Sequence, residues 1–293
     1  MKLENKICAV TGGANGIGYS TVMRFLEEGA RVVIADLNEE LGHQVCDELK
    51  DNGDKNSVKF VKTDVRSESD IKNLIEKTCE WYGGLDVIFN NAGVIGAVGP
   101  VWDLDEEDWD YTFDVLVKGV FFGMKHASRV FRKLKRSGVI LNTSSVAGLN
   151  GGCGPLVYST SKAAVINLTK SAAIQLAPDK VRVNAICPGY IYTGLTIPKS
   201  DSISEGADKL SIRQPIQDHG RPDDIASAAV FLCSDDSRFI SGEALVVDGA
   251  LTALGPDLWN KAGIAYERDM TSKVLNRGTT GESHIKRPLN KSL

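Results

Sequence analysis

Tyr158 and Lys162 stand four residues apart in Tyr158-Ser159-Thr160-Ser161-Lys162, and Ser145 precedes the tyrosine by thirteen residues. Residues four apart on a helix project from one face, so the ammonium can sit beside the phenol. A free phenol has a pKa of about 10 and is a poor base at neutral pH. A neighbouring cation favours phenolate and moves the group toward the working range of a general acid/base. Ser145 then carries the hydroxyl needed to hydrogen-bond a reacting oxygen. The same spacing occurs on many solvated helix faces, so its weight depends on the elements that carry it.

Short β-branched runs at 7–11, 32–35, 58–61, 85–90, 139–143, 181–186 and 244–247 read as seven strands. Between them lie helical segments near 17–28, 38–50, 68–82, 108–136, 156–177 and 222–233. Strands that are almost continuously apolar are buried on both faces. The alternation predicts an α/β fold, a doubly wound, parallel seven-stranded, Rossmann-like sheet in a single domain over residues 1–253. Two stretches break the pattern. Residues 188–214 are too long for a plain connection and are expected to form a substrate loop. Residues 254–293 are polar, with scattered Trp259, Tyr266 and Met270, and form a C-terminal extension that either wraps a neighbouring subunit or is loose, as termini commonly are.

The chain has 293 residues and a formal charge of −4. So mild a charge gives no reason to expect nucleic acid or an anionic membrane as partner. No apolar run is long enough for a membrane span and the first residues do not read as a signal peptide, so a cytoplasmic location is expected. The six cysteines show no CxxC pair and the four histidines no ligand spacing. Buried reduced thiols are expected, and no metal site.

Thr11-Gly12-Gly13-Ala14-Asn15-Gly16-Ile17-Gly18 follows the first strand and opens the first helix. Glycines at 12, 16 and 18 allow a tight turn, close approach to a pyrophosphate and helix-on-strand packing, with a helix N-terminus facing the anion. Asp36 ends the second strand eighteen residues after Gly18. There it can accept hydrogen bonds from the adenosine ribose and would repel a 2′-phosphate, so NAD is expected over NADP. Asp36 could instead be an ordinary turn acid. Asp64-Val65, after the third strand, can hold the adenine amino group, or Asp64 can cap the next helix. Asn90-Asn91-Ala92-Gly93 closes the fourth strand with small residues where the ribose would approach, or makes a simple strand-end turn.

Together these residues resemble the short-chain dehydrogenase/reductase family, from the N-terminus to about residue 250. The resemblance rests on Thr11–Gly18, Asn90–Gly93, Ser145, Tyr158/Lys162 and Pro188-Gly189-Tyr190-Ile191-Tyr192-Thr193. It extends through Gly220-Arg221-Pro222-Asp223-Asp224-Ile225-Ala226 and Ser241-Gly242…Val247-Asp248-Gly249. It implies Tyr158 as proton donor or acceptor and Lys162 as the group that lowers the tyrosine pKa and binds the nicotinamide ribose. Ser145 would orient the substrate oxygen, and its neighbour Ser144 is the rival serine. Ile191, through its backbone, and Thr193 would fix the carboxamide, and Pro188 would also contact the cofactor. The family commonly forms tetramers through the helices near 110–136 and 156–177, so a homo-oligomer, tetramer or dimer, is expected. One position departs from the pattern. Leu116, in Val115-Leu116-Val117-Lys118-Gly119, stands where the family usually has an asparagine thought to hold a relay water. Lys118 would point elsewhere on the helix and is not a replacement.

The substrate pocket is expected above the strand ends, walled by 94–101, 146–157 and 188–214. Leu149, Leu156, Tyr190, Leu195 and Ile197 suggest an apolar lining, and the glycine-rich 148–155 stretch suggests room for a bulky group. No Arg or Lys stands out as a clamp for a substrate carboxylate or phosphate. The expected activity is therefore NAD-dependent interconversion of a neutral secondary alcohol and its ketone, with cyclic substrates among those the pocket would admit. The alternatives are an NADPH-linked 3-ketoacyl-type reductase and a nucleotide-binding regulatory protein without catalysis.

Overall fold

The computed structural model describes residues 1–51, 57–196, 215–216, 218–254, 272–275 and 285–288. Its seven-stranded sheet is built from β1 (Ile7–Thr11), β2 (Arg31–Asp36), β3 (Val58–Lys62), β4 (Val87–Asn90), β5 (Gly138–Thr143), β6 (Val181–Pro188) and β7 (Ala244–Val247). The strands run in the order β3-β2-β1-β4-β5-β6-β7 and every pairing is parallel. Successive side chains on one strand enter opposite cores. Cys8, Val10, Val32 and Ile34 pack with one set of helices, and Ala9, Val33 and Ala35 with the other. Helices on both faces are what make these strands apolar at every position.

The first core is closed by α1 (Gly16–Glu27), α2 (Glu39–Asp51) and α7 (Pro222–Cys233), through residues such as Phe25, Leu49 and Ile225. The second is closed by α3 (Glu68–Tyr82), α5 (Gly119–Leu134) and α6 (Leu156–Leu176), through Leu74, Phe131 and Val165. Local chemistry sets several of the helix ends. Ser67 caps α3 by accepting the Asp70 amide, and Gly83 ends it in the left-handed region at φ 83°. The cap is thus Ser67, not Asp64. Among the cysteines, Cys8, Cys46, Cys187 and Cys233 are buried free thiols.

The helix expected over 108–136 is interrupted. Regular α4 (Glu106–Phe113) passes into a π-helical turn, Asp114–Lys118, before α5 begins. The Gly119 amide donates to the Asp114 carbonyl, five residues back. A Cβ on Gly119 would lie 2.9 Å from the Val65 Cβ, so the backbone can come this close to the β3–α3 loop only at a glycine. Leu116 lies in this turn and is fully buried. Lys118 is turned outward and paired with Asp114.

The chain divides into two compact units, Met1–Thr252 and Ala253–Leu293. The second contains an antiparallel pair, β8 (Ser272–Leu275) with β9 (Ile285–Pro288), that the sequence periodicity did not reveal. Trp259, Tyr266 and Met270 lie outside the described residues.

Candidate active site

β1 and β4 are neighbours in the sheet although their helices wrap in opposite directions along it, and the carboxyl ends of such strands leave a crevice. A cavity of about 480 Å³ occupies it. Its wall includes Gly12, Asn15, Gly16, Ile17, Asp36, Asp64, Val65, Asn91, Ala92, Gly93, Ser145, Tyr158, Lys162, Pro188, Ile191 and Thr193. These residues come from the ends of six strands and, for Tyr158 and Lys162, from α6, and the fold brings them to one site. Gly18 is the exception among the expected cofactor residues. It lies behind the wall, where any Cβ would collide with the Gly12 carbonyl, so its role is to seat α1 against the loop.

At the catalytic end, Ser145 follows β5, and its hydroxyl accepts the Ala147 amide at 3.1 Å. That leaves its proton for another oxygen, with the Tyr158 phenol on the same cavity wall. Neighbouring Ser144 is committed elsewhere, donating at 2.8 Å to the main-chain carbonyl of Lys162. The Lys162 ammonium is 3% exposed, donates to the Thr143 carbonyl at 2.8 Å, and lies 5.6 Å from the Tyr158 ring centroid. Two consecutive residues therefore hold Lys162 at both its ends.

The electrostatics differ from the expectation of a lysine-depressed tyrosine. Burial pushes Tyr158 above the usual phenol value, and the Ser145 hydroxyl only partly opposes that rise. Burial also pulls Lys162 down to about 8, slightly countered by Cys187. Neither group is solvated, and desolvation disfavours phenolate and ammonium alike. The ammonium faces the Thr143 carbonyl and the ring face, so it gives the phenol oxygen little direct stabilisation.

A nicotinamide dinucleotide fits this cradle. Gly12, at φ +64°, has no room for a side chain, because a Cβ would lie 2.8 Å from the Ala92 Cα. Gly16 at φ +54° opens α1, with Asn15 capping it. At the far end Asp36 accepts the Ala14 amide at 3.1 Å and the Asn38 amide at 3.0 Å. It is both a turn acid and a cavity residue, the two readings that sequence left open. Asp64 faces the cavity with its carboxylate held by Arg66, and that contact keeps it below the usual carboxylate range.

The substrate wall is smaller than expected. Val94, Leu195 and Thr196 line the cavity, whereas Leu149, Leu156 and Tyr190 do not. The turn Val146–Gly148 packs so closely on α6 that a Cβ on Gly148 would lie 2.6 Å from the Lys162 carbonyl carbon, and Leu149 and Leu156 are left more than 40% exposed. Ile197 lies outside the described residues. Leu37, Thr63, Arg66, Tyr111, Val115 and Thr143 also line the cavity and were not anticipated. Tyr111 and Val115 share a helix face four residues apart, a pattern that does not distinguish a cavity wall from a core stripe.

Fold and site define a doubly wound dinucleotide-binding protein with a Ser–Tyr–Lys centre. A family model described as "Enoyl-(Acyl carrier protein) reductase" matches residues 12–252. Among curated relatives, "3beta-hydroxysteroid dehydrogenase 2" of Eggerthella lenta is 38% identical over 86% of this chain and 96% of the relative. "(+)-borneol dehydrogenase 2" of Salvia officinalis is also 38% identical, over 86% and 91%. A crystal structure of a short-chain type dehydrogenase/reductase from Mycobacterium marinum aligns with a TM-score of 0.79 at 30% identity, covering 86% of this chain and 98% of that one. The chain belongs to the short-chain dehydrogenase/reductase family, nicotinamide-dependent oxidoreductases of small-molecule alcohols and ketones. Among the described residues no helix is long and apolar enough to cross a membrane.

Proposed function

We propose that this protein is an NAD(H)-dependent dehydrogenase that interconverts a neutral, apolar, alicyclic secondary alcohol with its ketone. The observation that carries the reading is the grouping of Ser145, Tyr158 and Lys162 on the wall of a cavity whose opposite end presents Asp36. A bound nicotinamide supplies or accepts the hydride. Tyr158 supplies or accepts the proton at the substrate oxygen. Ser145, fixed by the Ala147 amide, donates a hydrogen bond to that oxygen as its charge develops. Lys162, locked by Thr143 and Ser144, keeps a buried positive charge on the cavity wall below about pH 8. The raised phenol pKa makes Tyr158 a well-stocked proton donor for ketone reduction, while alcohol oxidation needs phenolate and should accelerate as pH rises.

Arg66 and Lys162 are the basic residues on the cavity wall among the described residues. Arg66 is neutralised by Asp64, and the neighbouring Lys62 is paired with Glu39. With Asp36 unopposed by a free cation, a 2′-phosphate has no partner, which supports NAD over NADP. The names of the steroid and borneol relatives support an alicyclic substrate, as does the small set of apolar wall residues Val94, Val115 and Leu195.

Two measurements test the proposal. Across a panel of alicyclic secondary alcohols, turnover should be at least tenfold more efficient with NAD than with NADP; the reverse preference would overturn the cofactor assignment. Tyr158→Phe should lower kcat by roughly 10²–10⁴-fold, the range for losing a general acid/base, with NADH affinity nearly unchanged. Retained turnover would remove Tyr158 from the mechanism.

A further inference from the structure

The strand order fixes which end of the cavity is which. Ser145, Tyr158 and Lys162 lie beyond β5, and the glycine loop sits beyond β1 in the middle. The ends of β2 and β3 lie at the opposite pole, with Asp36, Leu37, Thr63, Asp64 and Arg66. A dinucleotide with its nicotinamide at Tyr158 and its pyrophosphate on the glycine loop must place its adenine at this pole.

Two side chains there are arranged in an unusual way. The Arg66 guanidinium binds Asp64 in fork fashion, with Nε 3.1 Å and Nη2 2.6 Å from Oδ2 and Nε 3.0 Å from Oδ1. The Arg66 main-chain amide also donates to Oδ1, at 3.0 Å. Its guanidinium carbon lies 5.2 Å from the centroid of Tyr111, on α4. A planar cation is thus fixed on one side by a bidentate carboxylate and on another by an aromatic ring, both on the cavity wall. Holding a long side chain in one place costs rotamer entropy, and at about 40% exposure a lone ion pair gives little in return. The arrangement makes sense as a prebuilt flat surface. Purine bases stack on guanidinium planes and aromatic rings in a way that tolerates substituents.

We propose that Arg66 and Tyr111 form the adenine-binding wall of this protein, and that Asp64 acts mainly by positioning Arg66. The inference rests on the dinucleotide reading above and changes the role of Asp64. Its carboxylate is occupied by Arg66, so it is a positioning residue before it is a ligand for the adenine amino group. Tyr111 brings α4 into cofactor binding, connecting the β3–α3 loop to the helix that leads into the Asp114–Lys118 turn.

The test is calorimetric binding of AMP, ADP-ribose and nicotinamide mononucleotide to the full chain and to Arg66→Gln, Arg66→Lys, Tyr111→Leu and Asp64→Asn. All three positions are partly exposed, and equal melting temperatures would establish that the four variants fold. Loss of one stacking partner should weaken AMP and ADP-ribose about tenfold. Nicotinamide mononucleotide should bind unchanged. Arg66→Lys should resemble Arg66→Gln, because lysine keeps the charge but not the plane or the fork. Asp64→Asn should lose less than Arg66→Gln. AMP affinity retained in Arg66→Gln and Tyr111→Leu would overturn the proposal. So would full rescue by lysine, an equal loss for nicotinamide mononucleotide, or a loss confined to 2′,5′-ADP, which would make Arg66 a phosphate clamp. The cofactor assignment fails separately if the unmodified protein prefers 2′,5′-ADP to AMP, whatever the Arg66 variants do.

Discussion

Lys162 is a residue whose function and stability pull in opposite directions. Its ammonium is almost entirely buried, with one hydrogen bond to a main-chain carbonyl, and burial has drawn its pKa from 10.5 to about 8. The unfolded chain therefore binds more protons than the folded one between pH 8 and 10.5, so this group makes stability rise with pH in that window. At pH 7 the folded state instead carries the cost of a buried charge, on the order of 3 kcal/mol from the size of the shift. Lys162→Met should accordingly abolish turnover yet raise the melting temperature of the cofactor-free protein at pH 7. The advantage should shrink as pH approaches 10. Differential scanning calorimetry at pH 7, 8.5 and 10 checks this, and a destabilised variant at every pH would show that the Thr143 contact outweighs desolvation. The rest of the centre was only partly legible in the sequence. Spacing picked out Tyr158, Lys162 and Ser145, but spacing cannot show that Ser144 holds the backbone of the lysine, because that contact spans eighteen residues and depends on how β5 meets α6.

The elements show where local pattern succeeds. Strand runs such as Ile7–Thr11 and Ala244–Val247, and helices such as Glu68–Tyr82 with its serine cap and glycine stop, follow from rules that act within a few residues. The π-helical turn at Asp114–Lys118 does not. It depends on Gly119 meeting Val65, a contact between positions far apart in sequence, and periodicity reads straight through it. Gly119→Ala should push α5 from the Thr63–Arg66 loop, raising the KM for NADH several-fold with little change in kcat. An unchanged KM would mean that the loop yields freely. Leu116 offers a second test of the same turn. Its Cδ2 and the Lys162 ammonium both approach Gly93, 3.4 Å and 3.8 Å from where a Cβ there would sit. Leu116→Asn removes a fully buried apolar group and buries an amide, which should cost about 3 kcal/mol. Placing a hydrogen-bonding group this near Lys162 should also displace the pH–rate profile. A profile that superimposes on the parent's would remove position 116 from any proton relay.

At the scale of the whole molecule, everything that the proposed chemistry needs lies in one of the two compact units. The cavity wall runs from Gly12 to Thr196, the hydrophobic cores are completed by Ile240, Leu245 and Val247, and the last strand of the sheet ends at Val247. The edge of this unit is also closed locally, since Asp248 accepts the amides of Ala250 and Thr252 and so terminates the chain's path along the sheet. Residues 254–293 contribute an antiparallel pair, β8 with β9. Each strand of that pair has only four residues, and two strands of that length are marginal on their own in water. A chain ending at residue 253 should therefore keep a cooperative thermal transition, within about 3 °C of the full-length protein, a shift worth roughly 1 kcal/mol at this size. It should also bind AMP with unchanged affinity, because no adenine-pole residue is removed. A transition lost or lowered by more than 10 °C would mean that the extension is part of the folded core. An intact transition with altered turnover on bulky alcohols but unaltered AMP binding would instead assign the extension to the substrate side of the site, leaving the nucleotide half as the independent unit that its strand ends define.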